Sequence, residues 1–150
     1  MATAAGSKAR ALLLLALLAF FVRHGYGANT GGSIIVIANP SVPVASVSLK
    51  ELVTIYLLRV TLWPDGQPIV PVNQEADSRL RSRFSETVLG QQPMALANYW
   101  NQMHFQGKNP PLVMDSSQAV AAFVRKVPGA IGYVSANTPT EGVKIVERLP

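Results

Sequence analysis

The 150-residue chain contains no cysteine. No disulfide therefore supports its fold, no thiol is available as a nucleophile, and we expect no lipid attachment through an N-terminal cysteine. These absences exclude a disulfide-stapled domain and a cysteine-dependent enzyme.

Groups that usually carry catalysis or bind metals are also scarce. Only two histidines occur, and the second, His104, lies alone between Met103 and Phe105, a setting in which histidine is usually a structural or a surface residue. The eight acidic residues are scattered, so no cluster with metal-ligand spacing is present. Neither a G-x-S-x-G elbow, nor a P-loop, nor a dinucleotide fingerprint occurs. The sequence predicts a protein that is not an enzyme and that needs no metal and no cofactor.

The first 27 residues have the pattern of a signal peptide. Lys8 and Arg10 precede an uncharged apolar run at 11–22, and the small residues Gly25 and Gly27 follow it. The run is shorter than the ~20 residues that span a bilayer as a helix. We therefore expect a signal peptide at 1–27, cleaved near Gly27, and an exported domain at 28–150. An uncleaved signal anchor is the alternative.

Removing this segment changes the charge balance. The whole chain has a net charge of +5, and the loss of Lys8, Arg10 and Arg23 leaves ten basic against eight acidic residues, or +2. Nucleic-acid-binding proteins concentrate basic charge on one surface. The composition therefore predicts no nucleic-acid partner, and the mature length suits one domain with one modest core.

Apolar runs and helix-start signals alternate along the mature chain, which predicts a single α/β layer structure. The β-branched run Ile34–Ala38 is typical of a strand buried on both faces, as in a parallel sheet. Gly129 and Gly132 bracket a tight helix-to-strand turn with no room for a large side chain. The further predicted strands are 69–72, 131–134 and 143–146, and the predicted helices begin at capping boxes at Ser48 and Asp115, at Asp77 or Ser78, and at Pro93.

The segment 73–83 follows a strand and enters a helix, so free backbone N–H groups and the positive helix end meet there. Proteins commonly hold oxyanions at such a place. Ser78 offers a hydroxyl, and Arg79 and Arg83 lie four residues apart on one helical face, with Arg81 expected off that face. In the alternative interpretation Asp77 or Ser78 only caps the helix and the arginines are solvated.

Six segments in order resemble the small phosphate ABC transporter substrate-binding-protein-like family, single-lobe relatives of the periplasmic phosphate-binding proteins. They extend over almost the whole mature chain, and no single one is decisive. The matching segments are 34–40 ending in Asn-Pro, 48–57, the turn 63–66 with the strand 69–72, Tyr99-Trp100, Phe105-Gln106-Gly107 with Pro110-Pro111, and Pro128 to Tyr133.

The resemblance implies one lobe of a type II periplasmic-binding-protein-like fold, with a central mixed sheet flanked by helices. It also implies a periplasmic location, a phosphate or similar oxyanion ligand, and a membrane transporter or another envelope protein as partner. The full-size family grips phosphate with an Arg-x-Asp-x-Ser-Gly-Thr segment. Aligned on Ser78, this chain has Gln74 for the arginine, Ala76 for the aspartate and Arg79-Leu80 for the Gly-Thr pair.

Two hypotheses follow from this comparison. In the first, the chain binds an oxyanion through Ser78, Arg79 and Arg83, with Gln74 as a neutral candidate. In the second, it is a scaffold that has lost its ligand and contacts another envelope protein through an apolar patch, with Trp63, Trp100 and Phe105 as candidates. One lobe leaves a bound anion open to water unless a second copy supplies the missing wall, and the sequence does not determine the oligomeric state.

Overall fold

The computed structural model describes residues 32–150, which belong to one compact unit, Gly31–Pro150. The predicted signal peptide and its cleavage site near Gly27 lie outside the described residues. Among residues 32–150, no helix combines the length and the apolar character needed to cross a membrane.

Five strands form one sheet in the order β3-β2-β4-β1-β5. Their bounds are β1 Ile34–Ala38, β2 Val70–Gln74, β3 Leu112–Met114, β4 Ala130–Ser135 and β5 Lys144–Leu149. The α-helices are α1 Leu49–Tyr56, α2 Arg79–Phe84, α3 Ala97–Phe105 and α4 Ser117–Lys126. Helix α2 continues as a π-helix at Ser85–Leu89, and a 3-10 helix at Pro93–Leu96 leads into α3. The predicted mixed sheet flanked by helices is confirmed.

The central strand β1 corrects one expectation. All five of its residues are buried, as predicted, but it pairs antiparallel with both β4 and β5. Ile34 and Val36 pack in the cluster that contains α1 and α2 residues, while Ile35 and Ile37 pack in the cluster that contains α4 residues. Helices on both faces of the sheet therefore account for the burial, and parallel pairing is not required for it.

At both glycines of the helix-to-strand turn, neighbouring atoms lie too close to leave room for a side chain. Gly129 has φ +76°, and a Cβ there would lie 2.1 Å from the Pro68 carbonyl oxygen. A Cβ on Gly132 would lie 2.6 Å from Val120 Cγ1 of α4. Both positions exclude a larger residue, as the sequence predicted.

Serine residues cap the N-termini of α1, α2 and α4. Ser48 forms the predicted capping box with Glu51, and Ser78 caps α2. The predicted box at Asp115 is wrong by one residue: Ser116 is the N-cap of α4, and its hydroxyl accepts from the Ala119 N–H at 3.1 Å.

Strands β2, β3 and β4 run parallel, so their carboxyl ends meet at one edge of the sheet. Helix α2 begins shortly after β2, and α4 begins shortly after β3. This arrangement brings two helix N-termini to the same edge, the usual position of ligands in open α/β sheets.

Candidate functional site

Four polar residues meet where β2 and β4 end and where α2 and α4 begin. They are Gln74, Ser78, Ser117 and Ser135, and we call this group the carboxyl edge. The three serines are half-buried, so the group is open to solvent at its rim.

Gln74 is the centre of the carboxyl edge and is only 4% exposed. Its side-chain amide nitrogen donates to Ser117 Oγ at 3.1 Å and to the Tyr133 carbonyl oxygen at 3.2 Å. Its amide oxygen accepts from the Ser78 hydroxyl at 3.3 Å. One glutamine side chain thus links the starts of both helices.

Ser78 and Ser117 use their hydroxyls differently. Ser78 donates to Gln74 and also accepts from the Arg81 N–H at 3.3 Å as the N-cap of α2. Ser117 Oγ accepts from Gln74 and from the Ser135 N–H at 3.2 Å, which leaves its own proton to donate. Ser117 was not among the predicted site residues, because the serine pair after Asp115 was interpreted only as a helix start.

The two predicted arginines do not join this group. Arg79 is exposed at the first position of α2. The Arg83 guanidinium donates to the carbonyl oxygens of Gly32 at 2.6 Å and Pro150 at 3.0 Å. The structure therefore brings Gln74 and Ser78 together, leaves Arg79 in solvent, and directs Arg83 to the two ends of the described chain.

Arg81 lies off the helical face shared by Arg79 and Arg83, as its spacing predicts, and its side chain packs in the interior against the end of β2. Arg81 is only 9% exposed, and its Nη1 donates to the Gln74 carbonyl oxygen at 3.0 Å. Position 81 follows the Ser78 cap by three residues, and residues three apart are neighbours on a helix surface. That spacing was the available signal, but the sequence did not show that the end of β2 lies against this turn.

Aromatic residues close the inner side of the group. The Tyr133 hydroxyl accepts from the Gln74 N–H at 3.2 Å and donates to Asn73 Oδ1 at 3.2 Å. Its ring stacks on Phe84 with 3.8 Å between ring centroids. Burial raises the pKa of Tyr133 to about 12, and burial raises the pKa of Tyr56 well above its ordinary value. Both hydroxyls are therefore neutral at physiological pH.

Carboxylates are absent from this hydrogen-bond network. Glu75 and Asp77 follow Gln74 but are exposed, and among the described residues no carboxylate bonds to Gln74, Ser78, Arg81 or Ser117. Residues 32–150 contain no group of three or more acids and histidines that could hold a metal ion. The carboxyl edge offers hydroxyl donors and positive charge, which suits an anion better than a cation.

A second concave surface lies between α1 and the turn at 63–66, which begins with Trp63. This groove has a volume of about 260 Å³ and is mainly apolar, with lining residues that include Val47, Ile55 and Leu62. Its charged lining residue is Glu51, whose pKa is lowered by the Ser48 hydroxyl. The groove is therefore a poor site for an anion.

The three aromatic residues expected to form an exposed apolar patch differ in their exposure. Trp63 is buried, with its indole N–H donating to the Gly129 carbonyl oxygen at 3.0 Å, and Trp100 is half-buried. Phe105, at the end of α3, is 89% exposed. Of the three aromatic candidates, Phe105 alone is largely exposed to solvent.

Solved structures share this fold. A protein assigned as a phosphate ABC transporter substrate-binding protein from Clostridium perfringens, solved with bound phosphate, matches with a TM-score of 0.63 and 25% identity over 77% of this chain and 45% of its own. An ABC-type phosphate transport receptor from Vibrio cholerae matches with a TM-score of 0.60 and 20% identity, over 77% and 46% of the two chains. PstS from Borrelia burgdorferi matches with a TM-score of 0.60 and 18% identity, over 77% and 47%. At these identities the last two show the fold alone.

The chain spans less than half the length of each of these structures. By name the first two are binding or receptor proteins, which agrees with the expectation that this chain is not an enzyme. No curated protein is significantly similar to the chain in sequence. The family profile of the PBP superfamily domain matches residues 30–148, nearly all of the described part. The chain therefore belongs to the PBP (periplasmic-binding-protein) superfamily.

Proposed function

We propose that this chain is an exported, non-catalytic substrate-binding module that binds phosphate or a similar oxyanion at the carboxyl edge, in a role related to phosphate uptake. One observation carries the proposal: two helix starts, each with a serine hydroxyl, are held at one sheet edge by the buried Gln74 amide. The solved relative with bound phosphate supports the ligand class. Export through residues 1–27 and a membrane transporter as partner belong to the same proposal.

Electrostatics favour an anion at this edge. The first N–H groups of a helix have no partner within the helix, and the helix dipole places partial positive charge there. Helix α4 has ten residues, and the Ser117 hydroxyl at its first position has a proton to donate. In this proposal Arg79, which is exposed at the first position of α2 next to Ser78, is the substitute cation that approaches a bound anion.

Two features limit the affinity. Glu75 and Asp77 lie exposed beside the site and repel a second negative charge. The rim of the carboxyl edge is open to solvent, since Ser78, Ser117 and Ser135 are only half-buried, so an anion there stays in contact with water, where an ion pair contributes only ~0–1 kcal/mol. We therefore expect binding well below the tightest affinities of enclosed sites.

Substitution of Ser78 tests the position of the site. Aspartate is as good an N-cap as serine, so Ser78→Asp keeps α2 capped while adding negative charge at the carboxyl edge. We expect this variant to lose phosphate binding in equilibrium dialysis with labelled phosphate. Gln91→Glu, at an exposed loop position, adds the same charge elsewhere and serves as the control. Binding that survives Ser78→Asp would remove the site from the carboxyl edge.

A second candidate function is a scaffold that has lost its ligand and contacts an envelope protein. The exposed Phe105 favours it, because a large apolar side chain in solvent is available to contact another protein. This function predicts no binding of phosphate or sulfate, together with retention of the chain on envelope membranes that Phe105→Ser abolishes. Phosphate binding that is unaffected by Phe105→Ser would contradict it.

A further inference from the structure

Arg81 brings a positive charge into the interior beside the carboxyl edge. Its side chain is 9% exposed, its Nη1 is bonded to the Gln74 carbonyl oxygen, and its buried Nε has no hydrogen-bond partner in the described part of the chain. Burying a charge is costly unless that charge is paired and fully hydrogen-bonded. The Arg81 charge therefore needs a partner of opposite charge that balances it.

No acidic side chain balances it. All eight acidic residues of the sequence lie between positions 51 and 147, within the described residues. Seven of them are exposed, and the half-buried Glu147 lies on β5, which β4 and β1 separate from β2 in the sheet. Within the described residues, none of these carboxylates accepts a hydrogen bond from Arg81. The Arg81 guanidinium donates instead to the Gln74 carbonyl oxygen, at 3.0 Å.

The neighbouring tyrosines do not balance it either. Tyr56 and Tyr133 both lie close enough to feel the Arg81 charge, which lowers their pKa values, yet burial outweighs this effect and the pKa of Tyr133 is raised to about 12. Near neutral pH both remain uncharged phenols. Within residues 32–150 the Arg81 guanidinium therefore has hydrogen-bond acceptors but no counter-charge.

We propose that Arg81 is the buried counter-charge for the oxyanion at the carboxyl edge, and that it also positions Gln74 by holding its carbonyl oxygen. This inference rests on the proposed function and deepens it. Arg81 acts on the same residue whose side chain joins Ser78 to Ser117, so its loss affects both the local potential and the alignment of the two hydroxyls.

The ligand class follows from the charge. Coulomb attraction scales with the product of the two charges, and it is stronger beside a buried group than in bulk water. A compact, doubly charged oxyanion such as phosphate or sulfate gains more from Arg81 than a singly charged one such as nitrate. The site is therefore predicted to select by charge, in the order phosphate and sulfate before nitrate.

Titration calorimetry of the full chain with inorganic phosphate tests this role. We expect Arg81→Met to weaken phosphate binding by roughly tenfold or more, and Arg81→Lys, which restores the charge, to stay within about threefold of the unsubstituted chain. Lys126→Met removes an equal charge at the opposite end of α4 and is the control. The preference for sulfate over nitrate should shrink in Arg81→Met and persist in Arg81→Lys.

Each outcome has a distinct meaning. If the unsubstituted chain binds no phosphate, the proposed function fails and this inference fails with it. If that chain binds phosphate and Arg81→Met binds equally well, only the role of Arg81 is overturned. Equal losses in the Lys and Met variants, with unchanged anion preference, would make Arg81 merely structural. If thermal unfolding shows that Arg81→Met does not fold, Arg81→Gln is the neutral replacement and the same comparison applies.

Discussion

At the scale of residues, the position that the resemblance aligns with a phosphate-gripping arginine holds the neutral Gln74, and the nearby Arg81 is the buried positive charge. The strand end carries a neutral amide that joins two serine hydroxyls, while the positive charge comes from the following helix and lies against the Gln74 carbonyl oxygen. Sequence reasoning grouped Gln74 with Ser78 because both belong to one local segment. It did not bring in Ser117 or the contact between Arg81 and Gln74, since these depend on how α4 and α2 meet the end of β2 in space.

The buried tyrosines predict a loss of stability at alkaline pH. Because the pKa of Tyr133 is about 12 in the folded chain and about 10 in the unfolded one, the neutral form is favoured by folding. This contribution is complete below pH 10 and is lost as the pH rises from 10 to 12, by about 2–3 kcal/mol. Urea unfolding at pH 8 and pH 11 should show about half of this loss, because pH 11 lies midway between the two pKa values. Tyr133→Phe should show a smaller fall over this interval, and an identical fall in both chains would contradict the assignment.

At the scale of elements, the helix starts were the most predictable features, because Ser48 and Ser78 act through hydrogen bonds within three residues of sequence. Strand β3 was missed because it has only three residues and Leu112 and Val113 are half-exposed, so it lacks a buried apolar run. The parallel pairing expected for β1 was wrong for a different reason. Burial of a strand on both faces shows that helices cover both faces of the sheet, but it does not indicate the direction of the neighbouring strands.

The turn before β4 gives a prediction at this scale. Gly129→Ala adds a methyl group to a left-handed backbone and drives it against the Pro68 carbonyl oxygen. Gly66 has φ +84°, but a Cβ added there would meet no atom within 4 Å, so Gly66→Ala carries the conformational cost of about 1–2 kcal/mol alone. We expect Gly129→Ala to lower the free energy of unfolding clearly more than Gly66→Ala in urea titrations. Equal losses would show that the close approach is unimportant.

The packing of α4 on β4 is tested by a separate substitution. Gly132 lies in a strand with ordinary backbone angles, so Gly132→Ala tests the packing against α4, chiefly the 2.6 Å approach to Val120 Cγ1 and also the 3.3 Å approach to Val124 Cγ2. Overpacking of this kind typically costs about 1–3 kcal/mol. Val120→Ala opens the space that the added methyl group needs, so the double variant Gly132→Ala/Val120→Ala should be more stable than the sum of the two single losses predicts. Simple additivity would contradict the contact.

At the scale of the whole molecule, the described residues form one sheet with helices on both faces and the carboxyl edge open at one side. The resemblance predicted this architecture, and the solved relatives confirm it over 77% of the chain. The grouping of polar side chains at the carboxyl edge could be predicted from the sequence only in part. The motif that marks phosphate contacts is retained only at Ser78, and the residues that surround it converge from β2, β4, α2 and α4.

The ends of the described chain are joined through Arg83, which gives a prediction at this scale. Its guanidinium donates to the carbonyl oxygens of Gly32, before β1, and Pro150, after β5. Hydrogen bonds from a charged group contribute about 1.5–3 kcal/mol when buried and less at an exposed position such as this. Arg83→Met should therefore lower the melting temperature by a few degrees. Hydrogen exchange should speed up in β1 and β5, and unchanged exchange there would contradict the bracing role.

Titration calorimetry with inorganic phosphate at low salt, after exhaustive dialysis, tests the proposal that this chain binds an oxyanion at the carboxyl edge. We expect a saturable heat in the micromolar range and competition by sulfate. No heat at millimolar phosphate or sulfate would overturn the proposal and leave the scaffold function as the better explanation of the fold.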